Sequence, residues 1–274
     1  MYESFYNFKE KPFSLTPDPG FLYLGKQHRE GLTMLEYGLE VHGGITVFTG
    51  EVGSGKTTLV RKILEIMDER LTVGTITNTQ PQFGEFLKWV LLAFGLDYRI
   101  TDKVELYQTF FDFVVEQYAK NRRTVLIIDE AQNLDLETLE ELRMLYNMNL
   151  DKDQVLQLFL VGQPELLEKL QGPELRQFAQ RISVHYHLKP MQLEETRNYI
   201  RHRVRVAGGN PEIFHVTACG AIHYHSGGIP RLINTVCETA LVFGFAEGRK
   251  RIDSETILNV IKDKQRSGLK IFAR

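Results

Sequence analysis

Cysteine is scarce in this sequence, and long apolar runs are absent from it. The 274 residues include two cysteines, Cys219 and Cys237, in no metal-ligand spacing. We therefore expect reduced core thiols rather than a disulfide framework or a zinc site. No stretch of about 18 apolar residues occurs, so no membrane-spanning helix is predicted. The first residues, MYESFYNFKEKPF, resemble neither a signal peptide nor a transit peptide.

Charge is distributed unevenly along the chain. Residues 1–189 carry 20 Lys and Arg against 27 Asp and Glu, whereas residues 190–274 carry 13 against eight. This shift predicts a domain boundary near Pro190, with domains at 1–190 and 191–274. The basic C-terminal part is either a solvated helical face or a surface for nucleic acid, nucleotide or an acidic partner.

Hydrophobic periodicity alternates between strands and helices as far as Pro190. Apolar runs predict five buried strands, at Ile45–Thr49, Leu71–Ile76, Thr124–Asp129, Leu156–Gly162 and Val184–Leu188. Helices are predicted between them at Lys56–Met67, Phe83–Phe94, Leu106–Ala119 and Leu136–Met148. After Pro190 the pattern is only helical, at Leu193–Val206, Val216–His225, Pro230–Phe245 and Ser254–Asp263. This pattern predicts an α/β domain with a parallel sheet, followed by an all-helical domain.

A glycine-rich loop follows the first predicted strand. The sequence GEVGSGKT fits G-x-x-x-x-G-K-[ST] between a strand and a helix, which is the context of a phosphate-binding loop. Its backbone N–H groups and the helix N-terminus can cradle anionic oxygens. We expect Lys56 to reach the β- and γ-phosphates of ATP and the Thr57 hydroxyl to bind Mg²⁺. The predicted ATP-binding residues of the loop are Gly50, Glu51, Val52, Gly53, Ser54, Gly55, Lys56, Thr57 and Thr58.

Two adjacent carboxylates end the third predicted strand. The apolar run Val125–Ile128 precedes Asp129 and Glu130, so the strand would deliver both to the carboxyl edge of the sheet, where ligands bind in open α/β folds. We expect Asp129 to bind Mg²⁺, mostly through water, and Glu130 to orient or deprotonate the attacking water. This pair favours hydrolysis over static binding.

Four segments carry a family resemblance: GEVGSGKTT, LIIDEAQNL, LFLVGQPEL and GGIPRLIN. With the N-terminal block, they make nearly the whole chain resemble AAA+ ATPases of the general secretion pathway protein A type. The chain is also similar to ATPases of exosortase, exopolysaccharide and pilus-biogenesis loci, and more remotely to transposition regulators. The resemblance implies a P-loop NTPase sheet in the order 5-1-4-3-2 and a C-terminal helical lid, with ATP and Mg²⁺ between them.

The same resemblance implies further site residues. Arg231 matches the sensor-2 arginine that contacts the γ-phosphate, and Gln163 matches the sensor-1 position. Asn78 would hold Glu130 in an inactive pose until a partner binds. An arginine finger for a neighbouring subunit is expected at Arg181, with Arg176 as the second choice. The N-terminal aromatic segment is expected near the adenine and the core, where His28 is a weak candidate for a nucleotide contact.

The implied partners are further copies of the chain, in a homo-oligomer or a ring, and envelope secretion or export proteins. Secretion-pathway members add a transmembrane segment and a peptidoglycan-binding domain; neither follows in these 274 residues, which favours the shorter exosortase-associated or pilus-associated kind. We expect a cytoplasmic protein, or one held at the inner face of the membrane through partners. The alternatives are a DNA-binding ATPase and a nucleotide-gated switch with negligible turnover. No metal besides Mg²⁺ is expected, because no carboxylate or thiol cluster accompanies His185 and His187.

Overall fold

The computed structural model describes residues 1–16, 18–41, 44–66, 70–77, 85–150 and 153–266. The strands are β1 (Ile45–Gly50), β2 (Leu71–Ile76), β3 (Arg123–Ile128), β4 (Asn149–Leu150), β5 (Asp153–Gln154), β6 (Leu156–Gly162) and β7 (Ile182–Leu188). The helices are α1 (Glu3–Tyr6), α2 (Lys26–Glu40), α3 (Lys56–Ile66), α4 (Phe86–Ala93), α5 (Lys103–Ala119), α6 (Leu136–Tyr146), α7 (Glu165–Leu170), α8 (Arg176–Ala179), α9 (Leu193–Val206), α10 (Val216–Ser226), α11 (Pro230–Ala246) and α12 (Ser254–Arg266).

Contacts divide the chain into two units. The α/β unit comprises Gly31–Gly50 and Leu59–Leu188, and the helical unit comprises Met1–Glu30, Glu51–Thr58 and Lys189–Arg274. Each unit has a hydrophobic core cluster of its own. The two units are therefore described in turn.

The α/β unit is built on a five-stranded sheet in the order β2-β3-β6-β1-β7. All four pairings in this sheet are parallel. With only these five strands numbered along the chain, and read from the β7 edge, the order is 5-1-4-3-2, as expected. A two-stranded antiparallel ribbon, β4-β5, was not predicted from the sequence.

Burial explains why these segments form parallel strands. All residues of β1 and β6 are buried, and β3 is buried from its second residue onward. Strands covered on both sides are continuously apolar, which is the pattern of a parallel sheet. The edge strands β2 and β7 mix buried and exposed residues, because each pairs with a neighbour on one side only.

The helical unit is formed around α9, α10, α11 and α12. Helix α9 begins with a capping box between Gln192 and Glu195, and α11 begins with Pro230 in its first turn. The loop before α11 contains Gly228, which has φ +77° and whose carbonyl accepts a hydrogen bond from Met191 N–H at 3.0 Å. The capping box thus starts α9, and the loop with Gly228 separates α10 from α11. Both α9 and α11 start at the positions that the sequence pattern predicts.

The N-terminal segment packs inside the helical unit. Its buried aromatic residues are Tyr2, Tyr6, Phe8, Phe13 and Phe21. Phe13 meets Phe214 edge to face, with ring centroids 5.6 Å apart, and the ammonium of Lys250 lies 3.6 Å from the ring centroid of Phe5. The expected boundary at residue 190 placed this segment with the sheet. Its contacts instead group it with the helices, because its rings find their apolar partners there.

Cys219 and Cys237 are free and buried in the helical unit, as expected for core thiols. Burial raises the pKa of Cys219 to about 11, so the thiol is protonated at neutral pH. Among the described residues, no helix combines the length and apolarity needed to cross a membrane.

Gly228 gives a test of the helical unit. A Cβ at this position would lie 2.0 Å from the carbonyl oxygen of Met191, and the left-handed backbone adds strain. We expect Gly228→Ala to lower the free energy of unfolding by about 1–3 kcal/mol. The measurement is urea denaturation followed by circular dichroism.

The matched control for this test is Gly220→Ala, in α10. A Cβ there meets nothing within 4 Å, so the substitution should stabilise the helix by about 0.5–1 kcal/mol. Equal stability of the two variants would contradict the packing described around Gly228.

Candidate active site

The glycine-rich loop joins the end of β1 to the start of α3. Gly53 and Gly55 adopt φ angles of +77° and +103°, which side chains with a Cβ rarely tolerate. Val52 is 55% exposed, and Glu51 is exposed as well, whereas Gly53, Gly55, Thr57 and Thr58 are partly buried. The backbone is therefore turned as a phosphate-binding loop requires.

Lys56 and Ser54 are the buried polar residues of this loop. Lys56 is 6% exposed and Ser54 is 2% exposed. The ammonium of Lys56 donates to the carbonyl of Glu51 at 3.0 Å, and the hydroxyl of Ser54 has no hydrogen-bond partner among the described residues. A buried cation and an unsatisfied hydroxyl in a curved loop fit an anionic ligand.

Arg231 lies beside the loop at the start of α11. Its backbone N–H donates to the carbonyl of Gly53 at 3.2 Å. A Cβ added to Gly53 would lie 2.5 Å from the Cβ of Arg231, so only glycine allows this close approach. Arg231 and the loop therefore lie in contact within the helical unit, and the contact of Arg231 with a γ-phosphate stays a prediction.

His28, on α2, is buried against the same loop. Its Nε2 lies 3.1 Å from the carbonyl oxygen of Ser54, which requires Nε2 to carry the proton. Burial lowers the pKa of His28, while the hydrogen bond to Ser54 and the charge of Glu195 oppose the shift. The neutral ring thus supports the turn that contains Gly55.

The two carboxylates follow β3 in the α/β unit. Asp129 is 8% exposed, and its N–H donates to the carbonyl of Ile76 at 2.8 Å. Glu130 adopts a left-handed conformation with φ 55° and ψ 36°. Its own N–H donates to Asp129 Oδ1 at 2.9 Å. The chain therefore turns sharply where the buried strand ends, and Asp129 and Glu130 lie side by side in this turn.

Glutamine amides hold the carboxylate of Glu130. Its Oε2 accepts a hydrogen bond from Gln163 Nε2 at 3.1 Å and another from Gln132 Nε2 at 2.6 Å. Gln163 follows the end of β6, as predicted. Gln132 lies in the motif DEAQNL, but sequence reasoning gave it no role. Its position two residues after the acidic pair was the one available signal.

The remaining predicted site residues are Arg176, Arg181 and Asn78. Arg176 begins α8 and is exposed, and Arg181, just before β7, is exposed too. The guanidinium of Arg181 lies 5.8 Å from the ring centroid of Tyr146. Asn78 lies outside the described residues.

His187, considered for metal binding, instead faces a hydroxyl: its Nδ1 lies 3.1 Å from Thr49 Oγ1. Within the described ranges, no group of three or more metal-ligating side chains occurs. The structure therefore contains two groups of candidate residues, the loop with His28 and Arg231 in the helical unit and the carboxylate–amide group in the α/β unit.

Comparisons with known proteins found similarity in sequence and in fold. Residues 39–170 match the family model of the AAA domain. General secretion pathway protein A of Aeromonas hydrophila is 40% identical over 253 residues, which make up 92% of this chain and 46% of that protein. The chain thus spans less than half the length of this relative.

Solved structures share the fold at low sequence identity. The ORC2 protein of Aeropyrum pernix, in ADPNP-ADP complexes, aligns with a TM-score of 0.68 and 17% identity over 96% of this chain and 74% of that chain. The ORC1 protein of Aeropyrum pernix, in complex with DNA, aligns with a TM-score of 0.63 and 17% identity over 95% of this chain and 70% of that chain. Residues 39–170 therefore match an AAA domain, the fold is that of these solved structures, and the chain is similar to General secretion pathway protein A.

Proposed function

We propose that this protein hydrolyses ATP with Mg²⁺ and uses the cycle to assemble or remodel a secretion, polysaccharide-export or pilus complex of the cell envelope. The observation that carries the chemistry is the carboxylate of Glu130, held by two amides immediately after Asp129. A hydrolase needs an oriented carboxylate at this position, whereas a static binding loop does not.

The loop supplies the binding part of this proposal. Lys56 would exchange its carbonyl partner, Glu51, for the β- and γ-phosphates, because a phosphate is the stronger acceptor for an ammonium. The backbone N–H groups around Gly53 and Gly55 would contact the same phosphates. Arg231 would add its guanidinium from the start of α11 and respond to loss of the γ-phosphate.

Mg²⁺ would be held by the Thr57 hydroxyl and, mostly through water, by Asp129. Both residues offer oxygen atoms, which Mg²⁺ prefers as ligands. The ion commonly takes one or two protein ligands and fills its other positions with phosphate and water oxygens. The lack of a larger ligand cluster within the described ranges is compatible with this mode. When bound, the ion neutralises charge on the phosphate oxygens.

Glu130 would act on the attacking water. The water oxygen forms a bond to the γ-phosphorus, the bond from that phosphorus to the β–γ bridging oxygen breaks, and ADP leaves with the electron pair. Glu130 orients the water and accepts its proton. Gln163, beside Glu130, would hydrogen-bond the γ-phosphate or the water.

A second subunit would complete the site. Arg181 and Arg176 are both exposed, which suits contact with a neighbouring copy, and we favour Arg181. Such an arginine stabilises charge in the transition state and contributes about 10³-fold or more to the rate. This assignment makes the active form a homo-oligomer.

The similarity to General secretion pathway protein A supports the cellular role, because it extends over 92% of this chain. Cytoplasmic action at the inner face of the membrane, through envelope partners, is part of the same proposal. The chain covers 46% of that relative, so the proposed role concerns the portion of that protein which the similarity spans.

DNA binding is the second candidate, supported by the fold shared with the DNA-bound ORC1 protein. The basic run of α9 gives it little support. Arg203 is buried and donates to the carbonyl of Pro12 at 2.5 Å, and Arg201 bonds to Glu212. Arg249, later in the chain, lies within salt-bridge distance of three carboxylates. These cations are engaged within the helical unit, so we favour the envelope role.

Two substitutions test the hydrolytic site. Lys56→Ala should abolish ATP turnover, because the phosphates lose their ammonium. Glu130→Gln should bind ATP normally but hydrolyse it at least about 10²-fold more slowly, because an amide cannot accept the proton. Phosphate release measures turnover, and calorimetry measures binding.

The control for Lys56 is Lys62→Ala, on the same helix, which removes a surface pair with Glu65 at 3.2 Å and should leave both readouts unchanged. Normal turnover by either site variant would refute the assignment. If the unmodified chain released phosphate no faster than Lys56→Ala, the nucleotide-gated switch would be favoured instead.

Mixing inactive variants tests the arginine finger. Arg181→Ala should lose about 10³-fold in turnover. The Arg181→Ala protomer keeps Glu130, and the Glu130→Gln protomer keeps Arg181. Mixing the two variants should therefore restore part of the activity at subunit boundaries, where one protomer supplies the arginine to the other. If an equal mixture of the two variants still associates but recovers no activity, Arg181 does not act in the neighbour's site. Mixing Arg176→Ala with Glu130→Gln then tests the second choice.

A salt titration separates the two cellular roles. With ATP present, duplex DNA should bind weakly or not at all near 0.15 M salt, since the arginines described above are already paired. Fluorescence anisotropy at several salt concentrations gives the measurement. Tight binding whose affinity falls steeply with salt would indicate several phosphate contacts and would favour the DNA-binding ATPase.

A further inference from the structure

Gln132 connects the carboxylate of Glu130 to the backbone that follows β6. Its Nε2 donates to Glu130 Oε2 at 2.6 Å. Its Oε1 accepts from the backbone N–H of Gln163 at 3.0 Å. One side-chain amide therefore bridges the end of β3 and the end of β6, and both of its polar atoms are used.

The main chain of Gln132 is fixed as well. It lies in a 3₁₀ turn, Ala131–Asn133, directly after Glu130. The ammonium of Lys169, on α7, donates to the carbonyl of Gln132 at 2.6 Å and to that of Leu134 at 2.5 Å. A cation that binds the last carbonyls of a helical turn stabilises its C-terminus.

Strand β6 leaves room for this bridge at Gly162. A Cβ built on Gly162 would lie 2.9 Å from Gln132 Oε1, so a larger residue would push the amide away. The two donors on Glu130 are also unequal: the Gln132 bond is shorter than the 3.1 Å bond from Gln163 Nε2. The arrangement thus favours Gln132 as the principal restraint on the carboxylate.

We propose that Gln132 is a positioning residue for hydrolysis, which sets the orientation of the Glu130 carboxylate relative to the end of β6. This inference rests on the proposed role of Glu130. A glutamate side chain has several rotatable bonds, and fixing them in advance removes an entropy cost from the reaction step. Gln132 acts through the carboxylate of Glu130 and is not itself a catalytic residue.

The first experiment compares Gln132→Ala with Asn133→Ala, the adjacent exposed amide. Gln132→Ala should lower kcat by about 10- to 100-fold, as expected for a misplaced catalytic group. Its affinity for ATP should stay within about twofold, because the loop is unchanged. Asn133→Ala should match the unmodified chain. Normal kcat for Gln132→Ala, or an equal loss in ATP affinity, would overturn the inference.

A double variant separates this inference from the proposed function. In a Glu130→Gln background, Gln132→Ala should cause no further loss, because its effect passes through the carboxylate. If Glu130→Gln alone hydrolyses ATP normally, the proposed function fails. If Glu130→Gln is inactive while Gln132→Ala is not, only the positioning role fails.

Discussion

The parallel pairing of β3 with its two neighbours is the constraint on which the candidate chemistry depends. Ile128 is level with Ile76 of β2 and with Leu160 of β6. This register brings the residues after β3 and after β6 to one edge, where Glu130 and Gln163 meet. Because side chains alternate along a strand, a slip of one residue would reverse every face of β3. The buried apolar residues of the strand therefore specify the position of the carboxylates as well as the core.

Backbone conformations that most residues avoid occur at both candidate groups. Gly53 and Gly55 have positive φ in the loop, and Glu130 has φ 55° although it carries a side chain. A left-handed non-glycine residue costs about 1–2 kcal/mol. Glu130 carries this cost and makes three hydrogen bonds. Its N–H donates to Asp129, and its carboxylate accepts from two side-chain amides. The strained residue is thus the one whose side-chain orientation matters most for the proposed reaction.

The sequence predicted elements whose patterns are local, such as β2, β6 and α9, whose bounds it matched in full. It also predicted that Gln163 lies beside the acidic pair, because strand ends of a parallel sheet share an edge, but it predicted no hydrogen bond between Gln163 and Glu130. It did not predict the place of the N-terminal segment, since aromatic residues indicate burial but not their partner. Gln132 was missed for a related reason. Its contact with Glu130 depends on the left-handed turn between β3 and the 3₁₀ helix, and no periodicity predicts that turn. The short β4-β5 ribbon was missed because its strands have two residues each.

The basic C-terminal part, residues 190–274, shows why net charge is a weak guide to binding. Its excess of 13 basic over eight acidic residues suggested a surface for phosphates. Yet Arg203 lies over the ring of Phe21, with 4.8 Å from the guanidinium carbon to the ring centroid, and donates to the carbonyl of Pro12. It therefore attaches the N-terminal segment to α9. A buried arginine of this kind satisfies main-chain carbonyls and an aromatic face, so its charge stabilises the helical unit instead of attracting a ligand. Arg231 differs because it lies at the start of α11 beside the glycines of the loop, where an added positive charge can serve a bound triphosphate.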